Sequence, residues 1–202
     1  MDLSKANRVC PAWLTGDMNP VMEAAYGLAA SRQMCCRADL DLLVEVVGTL
    51  PPDPVVVQLG AGSGTMGLAV MAARDHITLW SYDTDLQALG WEWEVFKNAK
   101  VDLKHGRRYQ PRQKDSAQGG ADWLWGPVDL VIVDADHSFD SVIADVYAWR
   151  EHCALMFIHD YDGTTAPQRY PGVRQACDAM WGETLPLYKA GWSAVFKAHA
   201  NG

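Results

Sequence analysis

The sequence predicts a doubly wound α/β fold: a mostly parallel, seven-stranded sheet with helices on both faces and a C-terminal antiparallel hairpin. Three observations predict it. Apolar runs of strand length alternate with segments of helical period from residue 55 onward. The first run, Val55-Val-Val-Gln-Leu59, enters a G-x-G-x-G turn at Gly60, Gly62 and Gly64. The last two runs, Thr184–Tyr188 and Ser193–Lys197, flank Lys189-Ala-Gly-Trp192, a connection of hairpin length with Gly at its turn.

Each element has its own signal. Residues 20–50 carry Ala24, Leu28, Leu40, Leu43, Val44 and Val47 at helical spacing, with Cys35 and Cys36 expected within helix. Pro51-Pro52-Asp53-Pro54 stops that segment and launches the first strand. Val55–Leu59 is apolar on both faces apart from Gln58, as a covered parallel strand should be. Thr65–Ala73 continues as an apolar helix, and Ile77–Asp83 is a second strand ending on a carboxylate. A helix over Leu86–Ala99 leads to a short third strand at Val101–His105. Residues 107–127 lack periodicity and hold Arg107, Arg108, Arg112 and Lys114, so they are expected to form a loop. Val128–Asp134, helix Ser141–Arg150, Ala154–Ile158 and helix Gly172–Trp181 complete the alternation. Trp91 and Trp93 are expected to pack, and His76, His105, His152 and His199 to lie at surfaces or helix ends.

At 202 residues the chain is expected to be one domain, a helical segment over 1–50 and a cofactor-binding core over 51–202. Its net charge of −8 leaves phosphate-backbone binding to a local basic patch, and no nucleic acid is expected as partner. The polar, proline-broken residues 1–20 show no signal peptide or membrane span, so neither a membrane nor secretion is expected. Five scattered cysteines without metal spacing read as reduced thiols of a cytoplasmic protein.

The glycine turn is the main functional signal. Gly60, Gly62 and Gly64 let backbone N–H groups approach a ligand without Cβ obstruction, and the following helix adds its N-terminal dipole. Gln58, Ala61 and Ser63 complete the expected cofactor-binding turn. A dinucleotide fingerprint wants its third glycine where Thr65 stands, and the Gly-Lys-Ser/Thr of a phosphate loop is absent. Asp83 lies 19 residues beyond Gly64, a suitable distance for an acid that grips a ribose diol. The alternative is a nicotinamide-dependent oxidoreductase, which the glycine spacing and terminal hairpin oppose.

Val133-Asp-Ala-Asp-His-Ser-Phe139, Phe157-Ile-His-Asp-Tyr161 and Gly172-Val-Arg-Gln-Ala-Cys-Asp-Ala-Met180 stand where a particular group carries D-x-D-H-S-[YF], H-D-Y and a G-V helix. From about residue 38 to its end the chain resembles the class I S-adenosylmethionine-dependent methyltransferases, whose sheet is Rossmann-like. The resemblance implies that Gly60, Gly62 and Gly64 line the methionine and ribose side of S-adenosylmethionine. It implies that Asp83 holds the ribose hydroxyls, and that Gly106 and Arg107 lie near the adenine. The family commonly has an acid where this chain has Gln58, and a Pro-Gly-Gly turn where it has Arg150-Glu-His-Cys153.

In the sheet order this implies, Asp134 and Asp160 end neighbouring strands about 4.8 Å apart, at the edge where such sheets bind ligands. Asp136, His137 and His159 crowd the same rim. Two functional readings fit. Asp134 and Asp160, with His159, hold a divalent cation that orients an acceptor hydroxyl; carboxylates suit Mg²⁺, while a histidine shifts the choice towards manganese, iron or zinc. Or His137 is a metal-free general base oriented by a carboxylate. The bland reading makes Asp134 and Asp136 helix caps. The expected function is O-methylation of a small-molecule hydroxyl, with Asp134, His137 and Asp160 at the chemistry; the alternative is a cofactor-binding protein without activity. Acceptor contacts are expected from the N-terminal helices, from 107–127 and from 161–172, including Tyr161, Arg169 and Tyr170. The oligomeric state stays open, a homodimer included.

Overall fold

The structure is a computed structural model that describes residues 19–103, 106–162 and 170–199. Cys10, His105 and Arg169 lie outside the described residues, as does most of the polar N-terminal stretch. The strands are β1 Val55–Leu59, β2 Ile77–Asp83, β3 Arg107–Gln113, β4 Val128–Val133, β5 Cys153–Ile158, β6 Tyr188–Ala190 and β7 Ser193–Lys197. The helices are α1 Pro20–Arg32, α2 Arg37–Thr49, α3 Thr65–Ala73, α4 Leu86–Asn98, α5 Ser116–Ala121, α6 Phe139–Trp149 and α7 Pro171–Trp181. The sheet order is β3-β2-β1-β4-β5-β7-β6; β1 to β5 are parallel and β7 is antiparallel to both its neighbours. The predicted doubly wound, seven-stranded sheet with a terminal hairpin is therefore what forms. None of the described helices is long and apolar enough to cross a membrane.

Alternation along the strands divides the core into two layers. Val56, Leu79, Leu130, Ile132 and Phe157 face α1 to α4, while Val57, Leu59, Val131, Val133 and Met156 face α6 and α7. On the first face, Gln58 and its register partner Ser81 interrupt the apolar surface, both fully buried. On the second, Trp149 is buried completely between Tyr82 and Trp123, and its indole N–H donates to the Ser116 carbonyl at 2.8 Å.

The structure corrects the third strand. It spans Arg107–Gln113, within the expected loop, rather than Val101–His105, and α5 follows it. Its sequence, RRYQPRQ, has no apolar alternation because β3 is the sheet's edge. Charge and a proline are tolerated there and discourage pairing with another chain. Cys35 and Cys36 also fall between helices rather than inside one: Cys36 is the N-cap of α2.

Trp149→Ala should destabilise the fold by about 3–5 kcal/mol, from the lost buried ring and the cavity left behind. Urea unfolding checks this; a change below about 1 kcal/mol would mean the second layer does not depend on it.

Candidate active site

The carboxyl ends of β1, β2, β4 and β5 open into one cavity of about 840 Å³. The glycine turn forms its floor. Gly60 has φ +90, and a Cβ there would lie 2.2 Å from the Asp134 carbonyl oxygen, so only glycine lets the turn pass β4. Gly62, with φ +48, is open on the cavity side, where the nearest atom to a Cβ is the Met34 methyl at 4.0 Å. The Asp83 carboxylate holds the turn, accepting from Ala61 N–H at 2.9 Å, and its other oxygen accepts from Asp85 N–H at 2.8 Å. Gly62 N–H also approaches the first of these oxygens at 3.5 Å, and the second keeps a lone pair for a further donor. Ser63 and Thr65 share a hydroxyl contact of 2.7 Å at the start of α3.

Gly106 and Arg107 are not at this edge. Arg107 aligns with Ile77 at the amino end of the sheet. Its Nε donates to the Met71 and Arg74 carbonyls, both at 2.9 Å, and it pairs with Asp75 at 2.6 Å, so it closes the C-terminus of α3. Because β3 begins at Arg107 instead of ending before it, Gly106 and Arg107 lie a strand's length from the edge expected for them. Lys114, Asp115, Ser116 and Ala117, beyond the carboxyl end of β3, line the cavity instead. Ser116 donates to Asp145 at 2.5 Å, and burial pushes the Asp145 carboxyl up to about 6.

Across the turn, the structure brings Asp134, His137, His159 and Asp160 together, with one ligand atom from each lying within 4.8 Å of the others. His137 Nε2 is 2.9 Å from Asp160 Oδ2, and His159 Nδ1 is 2.9 Å from Asp134 Oδ1 and 3.1 Å from Asp160 Oδ2. Asp160 has φ +56, an uncommon conformation for a non-glycine residue, and it turns the chain where β5 ends. Asp136 stays outside the cluster. It accepts from Ser138 N–H at 3.0 Å and Ser141 Oγ at 2.9 Å, which makes it part of the α6 cap, as the bland reading held for it.

Sequence reasoning missed Asp39. It is fully buried on α2 and accepts from Cys36 N–H, Trp192 N–H and Ser193 Oγ, with His159 Nε2 at 3.6 Å. Its only sequence signal is an acid at the third position of a helix. Three carboxylates thus face two imidazoles. Burial alone would lower the His137 pKa, but Asp134 and Asp160 outweigh it and raise the group to about 9. His159 is raised by the same balance, with Asp134 its strongest partner. Burial would raise Asp134 and Asp160, yet the imidazoles hold both below the usual carboxylate range. Tyr170 stacks on His137 with ring centroids 4.1 Å apart, and the Trp192 ring lies 6.2 Å from that of His159, while the Met34 methyl lines the cavity near Gly62; Tyr161 is buried instead against Phe196.

A second missed residue, Glu92, lies under the turn, fully buried on α4. It accepts from Tyr109 OH at 2.7 Å and from Gln58 Nε2 at 3.2 Å. Burial, helped by the nearby Asp83 charge, pushes its carboxyl up to about 7 against those hydrogen bonds. Protonation therefore favours the folded state. The contribution is fully present below the ordinary pKa of 4.5 and is lost as pH rises to about 7. Glu92→Gln, which keeps the neutral shape, should flatten the stability profile across that window. At about pH 8 it should exceed the wild type by on the order of 2–3 kcal/mol in urea unfolding. A variant less stable at every pH would contradict this.

Comparison with known proteins bears on the whole arrangement. A family model described as a methyltransferase domain matches residues 57–161. The fold is shared with a protein of Corynebacterium glutamicum at 18% identity and TM-score 0.67, covering 92% of this chain and 93% of that one. It is shared with an O-methyltransferase from Bacillus cereus, solved with S-adenosylhomocysteine, at 14% identity and TM-score 0.55, covering 90% and 91%. TomG, an O-methyltransferase of tomaymycin synthesis from Streptomyces achromogenes solved with S-adenosylmethionine, matches at 13% identity and TM-score 0.58, covering 87% of each chain. No curated protein matches the sequence.

Proposed function

We propose that this chain, which belongs to the methyltransferase-domain family, transfers a methyl group from S-adenosylmethionine to a hydroxyl of a small molecule. The observation that carries the reading is the single cavity joining the glycine turn and Asp83 to the cluster Asp134, His137, His159 and Asp160. One end offers open backbone and a carboxylate for a ribose; the other gathers acid and imidazole where a hydroxyl must lose its proton. Cofactor complexes of the two fold relatives, both O-methyltransferases, support the same choice. Family membership displaces the nicotinamide alternative.

Methyl transfer needs in-line placement of donor and acceptor, and orientation of this kind contributes on the order of 7–11 kcal/mol in favourable cases. Asp83 and the turn would fix the donor. Tyr170 and Trp192, beside His137 and His159, give the acceptor side an aromatic lining, suited to the flat carbon frame of a hydroxylated small molecule. His137 Nε2 and Asp160 Oδ2, 2.9 Å from each other, stand where the acceptor hydroxyl would be oriented.

A divalent cation fits the cluster. His137 and His159 are drawn towards the protonated form by three carboxylates, which marks a place that favours positive charge. Asp134, His137, His159 and Asp160 would hold the ion, which when bound lowers the pKa of an acceptor hydroxyl. Two imidazole nitrogens beside two carboxylates favour manganese, iron or zinc over magnesium. The metal-free base reading requires neutral His137, which those carboxylates oppose.

Transfer of labelled methyl from S-adenosylmethionine to a panel of phenolic and sugar hydroxyls tests the function. Excess EDTA should abolish turnover and Mn²⁺ should restore it, while Asp134→Asn should lower kcat by about 10²-fold or more. Undiminished turnover in EDTA would contradict the metal; no transfer to any hydroxyl, with label moving to amines or thiols, would contradict O-methylation.

A further inference from the structure

Glu92 is the buried charge that neither the strand-end cluster nor the cavity wall uses. It sits where four elements meet. Gln58 of β1, Ser81 of β2 and Tyr109 of β3 face it from the sheet, and Asp83 adds a like charge from the end of β2. From α3, a Cβ on Gly67 would lie 2.1 Å from its Oε1, so α3 gives up a side chain to admit the carboxylate. A Cβ on Gly64 would lie 2.9 Å from the Glu92 Cα. Among the described residues no lysine, arginine or histidine pairs with it. A carboxylate buried without a cation is costly, and here it is kept directly behind the turn that receives the cofactor.

Gln58 connects the two. It lines the cavity, and its Nε2 donates both to the Gly60 carbonyl at 2.8 Å and to Glu92. Two acceptors on the nitrogen fix the amide orientation, which leaves Gln58 Oε1 buried without a hydrogen-bond partner among the described residues. The neutral amide thus carries its negative end on the atom that no protein group satisfies. S-adenosylmethionine brings a sulfonium and an ammonium; the product, S-adenosylhomocysteine, has lost the sulfonium charge.

We propose that Glu92 is the countercharge for the cationic cofactor, acting from behind the glycine turn and through the Gln58 amide, so that the site distinguishes the sulfonium donor from its thioether product. This inference rests on S-adenosylmethionine being the cofactor. Glu92 is a positioning residue with an electrostatic role, and it touches no reacting atom. Donor binding favours its ionised form; release of the product, one charge poorer, restores the protonated form that burial prefers.

Calorimetric titration of both ligands into the wild type and Glu92→Gln separates charge from mere shape. At about pH 8 the variant should lose about fivefold or more affinity for S-adenosylmethionine beyond any loss for S-adenosylhomocysteine. Gln58→Glu in the same background should return the preference for the donor. In the wild type near pH 7, titrations in two buffers of different ionisation enthalpy should show more proton release with the donor than with the product. That measurement decides the matter even if the variant does not fold. Equal loss for both ligands, or equal proton release, overturns the role of Glu92 while leaving the cofactor in place. A folded wild type that binds neither ligand overturns the cofactor reading as well.

Discussion

The close approach of Gly60 to the backbone of Asp134 is the constraint on which the rest depends. The Leu59 carbonyl accepts from Asp134 N–H at 3.0 Å, and Gly60 N–H donates to the Tyr82 carbonyl at 2.8 Å. These bonds bind the turn to β2 on one side and β4 on the other. The missing Cβ at Gly60 is what allows it, since any other side chain would meet the Asp134 carbonyl. One carbonyl contact thus places the glycine-turn end of the cavity against the acid and imidazole end.

Around that contact the protein collects buried charge that a core otherwise avoids. Asp39, Glu92 and His159 are all essentially inaccessible to solvent. Asp39 is satisfied by two N–H groups and a hydroxyl, and it ties α2 and the β6–β7 turn to His159. Glu92 is satisfied by a phenol and an amide, with no cation paired to it among the described residues. Such groups lower stability relative to apolar replacements of the same shape. They lie behind the wall of one cavity, against Trp192, Gln58 and Asp134 that line it, the pattern expected where local rules are broken for function.

Much of this was legible in the residues. The β1–turn–α3 unit declares itself because an apolar run, three glycines and an apolar helix occur without interruption, and α3 spans the expected Thr65–Ala73. The strand-end acids were legible because a carboxylate directly after a buried strand has few other uses. The edge strand β3 was not: with one side unpaired it needs no apolar alternation, so its polar sequence reads as loop. That single omission sent Gly106 and Arg107 to the wrong end of the sheet and hid Lys114–Ala117. Asp39 and Glu92 were invisible for a different reason. Each sits on a helix at an unremarkable spacing, and tertiary contacts bury them, those of Trp192 and Ser193 with Asp39 and those of Gln58 and Tyr109 with Glu92.

Whether the carboxyl-edge cavity binds S-adenosylmethionine with Asp83 at its ribose is decided by titration of S-adenosylhomocysteine into the wild type and Asp83→Asn. Micromolar binding by the wild type, weakened by about 10- to 100-fold in the variant, is the predicted result, since the charge-assisted hydrogen bonds involved contribute about 1.5–3 kcal/mol each. Unchanged affinity in a folded Asp83→Asn protein, or no binding by the wild type, would contradict the account.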